Sequence, residues 1–235
     1  MAKRLLVVGA TGDVGQGIVA AAAAEGWSVV ASARDAGKLA SLQVALGVPT
    51  VTGDLSSEES AAALWTAAAA VHGGLDAVVV SVNARNTLRP ILEWDSAGLS
   101  EVFADNVLTH FIAAKTFLPR LAADGCYLGI GGGMADFVLP KMGHVSAGQA
   151  ALRMMYRAIA REAKGGPAVR ELTIVSMVNG PSKRDRAEPS WLTDAEVGRH
   201  VCAILAAPEA FPGPILRLES RDQVGLPPNS NQRRQ

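Results

Sequence analysis

Residues 5–17, LLVVGATGDVGQG, carry the spacing that bears most directly on chemistry. An apolar run ends at Gly9, and glycines recur at Gly9, Gly12 and Gly15 with Thr11, Asp13 and Val14 among them. This is the pattern of a strand that turns tightly into a helix and offers the N–H groups of the helix's first turn to an anion. Gly9 permits the sharp exit from the strand. Gly12 lets backbone approach a phosphate, and Gly15 lets the helix pack close to the sheet. The anion expected is the pyrophosphate of a dinucleotide, because strand and helix alternate through the rest of the chain.

Further polar groups fall at the ends of later strands. Where a dinucleotide-binding unit reads the adenosine ribose, an NAD-selective site places an acid, whereas this chain has Ser32, Ala33 and Arg34. Arg34 is suited to a ribose 2′-phosphate, so NADP is the expected cofactor with NAD as the lesser option. The plainer alternative is a solvated arginine in a turn. Asp54, followed by Leu55, is placed to accept from the adenine amino group or to cap the next helix, a role that Ser56 or Ser57 fills as well. Ser81, Val82 and Asn83 end the fourth strand and face the same crevice as the glycine turn. Asn106 stands in a helix among Phe103, Val107, Leu108 and Phe111, where an amide costs propensity and desolvation unless something uses it.

The elements that must position these groups follow from periodicity and breakers. After the first strand, strands are expected over 28–33, 49–52, 76–82, 126–130, 170–178 and 215–218. Helices are expected over 14–25, 36–46, 58–72, 99–118, 146–164 and 194–205. A loop with a short helix runs through Arg85, Arg89, Trp94 and Asp95, residues 182–191 are polar enough for a mobile lid, and 221–235 lack core-forming residues and are expected to be a disordered tail. The alternation implies one α/β domain over 1–220, a doubly wound parallel sheet of six or seven strands with helices on both faces.

Composition agrees with that class. The 235 residues are 49% hydrophobic and 19% charged, with only 5% aromatic, so alanine, valine and leucine do the packing. Lys plus Arg and Asp plus Glu both total 22. That balance gives no reason to expect a nucleic-acid partner. Cys126 and Cys202 lie far apart in apolar surroundings and are expected to be buried thiols, with no metal site. The apolar part of the start is too short for a signal peptide and no run is long enough to span a bilayer, so a cytoplasmic protein without a membrane partner is expected.

With GATGDVG, Asp54, Asn106, SAGQAAL and Asn179-Gly180-Pro181 in view, the chain resembles the short-chain dehydrogenase/reductase family over nearly its whole length. The resemblance implies a Rossmann-like fold and a nicotinamide dinucleotide. It assigns Asp54 to adenine, Asn106 to a proton relay, and Asn179 and Gly180 to the segment beside the nicotinamide. It also implies a catalytic serine, tyrosine and lysine at positions occupied here by Gly132, Val145 and Gln149. Glycine has no hydroxyl and valine no titratable proton, while Gln149 can hold a ribose but cannot shift a neighbour's pKa by charge. The resemblance is therefore to an atypical member.

His144 adjoins the vacant tyrosine position and has a suitable intrinsic pKa. It is the candidate substitute, provided it lies in a loop before the helix; a satisfied or surface histidine is the alternative. Three readings stay open: an NADP-preferring oxidoreductase with a degenerate relay, a non-catalytic nucleotide-binding sensor or partner subunit, and a lyase or isomerase. The expected partners are a small-molecule substrate or the dinucleotide alone. A homodimer or homotetramer is expected through helices near 103–118 and 146–164, from the family resemblance and their apolar content.

Overall fold

The computed structural model describes residues 2–83, 87–163 and 165–228. Arg85, the expected helix end at Lys164 and the last part of the expected tail, 229–235, lie outside them.

Strand β1, Arg4–Val8, alternates its apolar side chains between two cores: Leu5 and Val7 point to one face, Leu6 and Val8 to the other. It lies in the middle of the sheet, parallel to β2, Ser28–Ala33, on one side and β4, Ala77–Val80, on the other. With β3, Thr50–Thr52, β5, Cys126–Gly132, β6, Ala168–Ile174, and β9, Ile215–Leu218, the order is β3-β2-β1-β4-β5-β6-β9, parallel throughout. The chain winds outward from β1 to β3 and returns to β4. The carboxyl ends of β1 and β4 therefore meet at the point where the winding reverses, where a doubly wound sheet opens a crevice.

Helices α1, Asp13–Ala24, and α7, Asp194–Ala206, pack on one face. Helices α3, Glu58–His72, α5, Thr109–Phe117, and α6, Gly143–Glu162, pack on the other. Helix α2, Ala36–Leu46, starts at Asp35, whose carboxylate accepts from Lys38 N, and ends at Gly47 with φ +66°. Ser57 caps α3 and Thr193 caps α7, each in a reciprocal box with the residue three positions on.

Four expectations need correction. The helix expected over 99–118 is α4, Ser96–Phe103, then a five-residue π turn, Ala104–Leu108, then α5. Helix α6 starts at Gly143, three residues before the expected Ser146. Strand β6 stops at Ile174 because its neighbours end there, Gly132 and Leu218 both pairing with Ile174. Beyond it β7, Val178–Asn179, pairs with β8, Leu192–Thr193. Finally, the chain stays docked past Arg221: Arg221 Nε donates to Glu196 Oε1 at 2.5 Å, and Gly225 N donates to His200 Nδ1 at 3.1 Å.

Candidate functional site

The glycine turn is built by close backbone approaches. Gly9 has φ +81°, and a Cβ there would overlap the Ser81 carbonyl at the end of β4. A Cβ on Gly15 would overlap the Gly9 carbonyl and come within 2.9 Å of Ala10 Cα. Gly12 differs, since a Cβ there would meet only Gly9 O, at 3.4 Å. Gly12 is the N-cap of α1 and supplies no capping side chain, and the first helical bond is Gln16 N to Gly12 O, at 2.9 Å. The amides of Asp13, Val14 and Gly15 precede that bond, leaving the positive end of the helix dipole at the turn.

A cleft of about 1620 Å³ opens at this turn. Gly9, Thr11, Gly12, Asp13 and Val14 line it, as do Arg34, Asp54, Leu55, Ser81, Val82 and Asn83. Gly15 lies beneath the turn as a packing position. Arg34 is exposed just past β2, and Lys38, in the first turn of α2, adds a second cation that sequence reasoning missed. Asp54 Oδ1 accepts from Ser56 N at 2.8 Å and Ser56 Oγ at 2.5 Å, and these bonds hold its carboxyl below the usual carboxylate range. Asp54 is not the helix cap, which is Ser57. Val82 is fixed from behind: the fully buried His110 meets the Val82 carbonyl through Nε2 at 3.1 Å and Tyr156 Oη through Nδ1 at 3.0 Å. Because a carbonyl only accepts, Nε2 carries the proton and Tyr156 donates to Nδ1. Burial lowers the His110 pKa to about 4, against the Val82 bond, so this pin is uncharged.

The segment after β7 closes on the same turn. Asp13 Oδ1 accepts from Ser182 N at 2.8 Å, and its Oδ2 accepts from Ser182 Oγ at 2.7 Å and Lys183 Nζ at 2.5 Å. Burial alone would raise the Asp13 carboxyl, but the Lys183 ammonium and the Ser182 bonds outweigh it and hold the pKa below its ordinary value. Gly180 is buried against α1, where a Cβ would overlap Asp13 Cβ. Arg184, which follows Lys183, reaches Asp194 at the start of α7, 3.4 Å away. Residues 182–184 are thus anchored to two helix starts, where the sequence suggested a mobile lid. An acid within a phosphate-type glycine turn calls for a nearby cation, but nothing local in the sequence says which one.

The positions matched to the family's relay adjoin one another, and none is among the residues that line the cleft. Gln149 is buried, and its Oε1 accepts from Gly132 N at 2.5 Å. Val145, one turn earlier on α6, is also buried. Asn106 lies in the π turn, buried, donating to Val102 O at 3.1 Å and facing Gly148 of α6. His144 is in the first turn of α6, not in a loop, so the condition attached to its catalytic role is not met. Its ring packs on Trp94 with centroids 4.8 Å apart, and neither ring nitrogen has a hydrogen-bond partner among the described residues. Burial lowers its pKa. Asn179 pairs with Thr193 in the small sheet, its Oδ1 buried without a hydrogen-bond partner among the described residues.

Comparison with known proteins agrees with this architecture. A family model described as Enoyl-(Acyl carrier protein) reductase matches residues 9–176. Short-chain dehydrogenase/reductase GME11361 of Pestalotiopsis microspora is 33% identical over 120 residues, 51% of this chain and 43% of that protein. The match thus spans less than half of the relative's length. Among solved structures, the short-chain dehydrogenase/reductase (glucose/ribitol dehydrogenase) of Brucella melitensis superposes with a TM-score of 0.81 at 21% identity, covering 92% of this chain and 94% of that one. The alcohol dehydrogenase of the archaeon Thermococcus sibiricus, solved with 5-hydroxy-NADP, gives 0.79 at 21% identity, covering 97% and 100%. At those identities the likeness establishes the fold. Together with the family match across most of the sheet, the chain belongs to the short-chain dehydrogenase/reductase family.

Proposed function

We propose that the chain binds a nicotinamide adenine dinucleotide, NADP in preference to NAD, and acts as an oxidoreductase with a degenerate proton relay. The observation that carries the reading is the cleft that runs from the glycine turn past Arg34 and Lys38 to Ser81, Val82 and Asn83. Its residues fit such a group. Gly12 leaves space at the opening of α1, two cations stand beside the adenosine end, and Ala33 supplies no acid to engage the ribose hydroxyls. The carboxyl of Asp54, oriented by Ser56, is the acceptor proposed for adenine. When bound, the nicotinamide supplies or accepts a hydride. The chain orients it through Val82, which His110 fixes from behind.

The proton side is weaker. Gln149 and Gly132 bond to each other, and a valine occupies the tyrosine position. Asn106 and His144 are buried and do not line the cleft, and neither is proposed as a proton donor. Hydride transfer then favours substrates that need little acid assistance. The Gln149–Gly132 contact also favours a second reading, a dinucleotide-binding protein that no longer turns over substrate.

Calorimetry with NADPH and NADH tests the binding side. NADPH should bind more tightly, and Arg34→Leu should cost it about tenfold or more while leaving NADH unchanged. Equal affinities would remove the role of Arg34. NADPH oxidation over aldehydes, ketones and activated alkenes tests the chemistry. Positioned proton transfer commonly contributes about 10²–10⁴-fold, so ordinary carbonyl reduction should be slow by that order. Vigorous carbonyl reduction by the natural protein would contradict a degenerate relay. Turnover only in the Gly132→Ser, Val145→Tyr, Gln149→Lys variant would favour the second reading. A Cβ at Gly132 would lie 3.4 Å from the Gln149 side chain, so a serine fits there.

A further inference from the structure

We infer that Lys183 is a ligand for the dinucleotide's diphosphate and that Asp13 is the residue that positions it, so that the loop after β7 forms one wall of the phosphate site. The inference rests on the dinucleotide reading above and deepens it. A carboxylate at position 13 poses a physical conflict: it opens α1 at the place where the helix offers its amides to an anion, and it lines the cleft that the anion would enter. Unopposed, it would repel a diphosphate at close range. Lys183 resolves the conflict. Its ammonium bonds to Asp13 Oδ2 at 2.5 Å with one of three N–H donors, and Lys183 itself lines the cleft. The remaining donors belong to a cation already held at the mouth of the helix, so little ordering is left to be lost when an anion arrives.

Two further features fix that cation in place. Ser182 gives both its backbone N–H and its hydroxyl to Asp13, which pins the residue before Lys183. Arg184 reaches Asp194 at the start of α7, which pins the residue after it. Gly180 admits the loop to this distance, since any side chain there would strike Asp13. The carboxylate thus acts through the lysine. With Lys183 in place, Asp13 orients a cation; without it, Asp13 is a bare negative charge beside the phosphates.

That dependence yields a test by calorimetry with NADPH, NADH and inorganic pyrophosphate. Thermal unfolding of each variant serves as a control for folding. Lys183→Met should weaken both dinucleotides by a similar factor, about tenfold or more, and should weaken pyrophosphate as well. This contrasts with Arg34→Leu, which acts on NADPH alone. Lys183→Arg, which keeps the charge, should recover most of the loss. Adding Asp13→Asn to Lys183→Met should also recover part of it, because the unneutralised carboxylate is then gone. Unchanged or tighter binding of the dinucleotides by Lys183→Met would overturn the inference and leave the dinucleotide reading intact, with the Asp13–Lys183 contact then a closure that opposes binding. Pyrophosphate bound in a Lys183-dependent way, with neither dinucleotide bound, would support the anion site and overturn the dinucleotide reading. No binding of any of the three by the natural protein would overturn both.

Discussion

Glu171 brings a carboxyl into a place that water does not reach. Its side chain is fully buried on β6, Oε1 accepts from Thr173 Oγ1 at 3.0 Å, and Oε2 has no hydrogen-bond partner among the described residues. Gly131 on β5 makes the room, since a Cβ there would overlap Glu171 Oε1. Desolvation pushes the carboxyl from 4.5 to about 7, with the Thr173 bond opposing. A carboxyl raised on folding favours the folded state most at and below its unfolded pKa, and that contribution is lost as pH rises through the folded value. Chemical denaturation should therefore show stability declining between about pH 4.5 and 7, by about 3 kcal/mol from this group alone. In Glu171→Gln that part of the slope should vanish, leaving the variant the more stable protein at pH 8. A slope unchanged in the variant would assign it to other groups. At this scale the sequence exposes the glycine turn and Arg34 because their meaning is local. It does not expose the Asp13–Lys183 pair, whose members are 170 residues apart and meet only because β6 ends early and the chain folds back through β7.

Elements with local stop signals are those the sequence places well. Helices α2 and α3 run over the expected residues because Asp35 and Ser57 cap their starts, and Gly47 and Gly73 take left-handed conformations at their ends. The π turn at Ala104–Leu108 carries no such mark. It puts one extra residue into a helical run around Asn106, and that accommodation belongs to packing against α6 rather than to propensity. The start of α6 is misplaced for a related reason: Met142 precedes it without a side-chain cap, and contacts of His144 with Trp94 and of Ser146 Oγ with Phe137 O settle its first turn. Helices α1 and α7 show packing at its tightest. A Cβ on Gly17 would overlap the Asp194 carbonyl, and one on Gly198 would overlap the Gly17 carbonyl. Gly17→Ala is expected to cost about 2 kcal/mol, because both neighbours are backbone and neither can swing aside. Urea unfolding reads that change directly, and a midpoint within error of the natural protein would mean that the crossing relaxes freely.

Across the whole molecule, apolar side chains remain outside on the two helical regions expected to meet a partner. Leu108 is 47% and Phe111 43% exposed, and Met154 on α6 is 61% exposed. A symmetric pairing that covers them is the simplest use of such surfaces. Light scattering at micromolar concentration should return the mass of a dimer or tetramer, and one chain's mass would refute the pairing. Among the described residues no helix is long and apolar enough to cross a membrane. The strand order also sets a timetable for synthesis. Within the domain the glycine turn is made before most of the sheet, yet β1 lacks one flank until β4 arrives some seventy residues later. Asp13 lacks its counter-charge until Lys183 emerges. On the reading of Lys183 given above, a nascent chain cut short of that residue holds a phosphate site that repels its own ligand. Cofactor loading then waits for nearly the whole domain, and an incomplete chain does not draw on the dinucleotide pool.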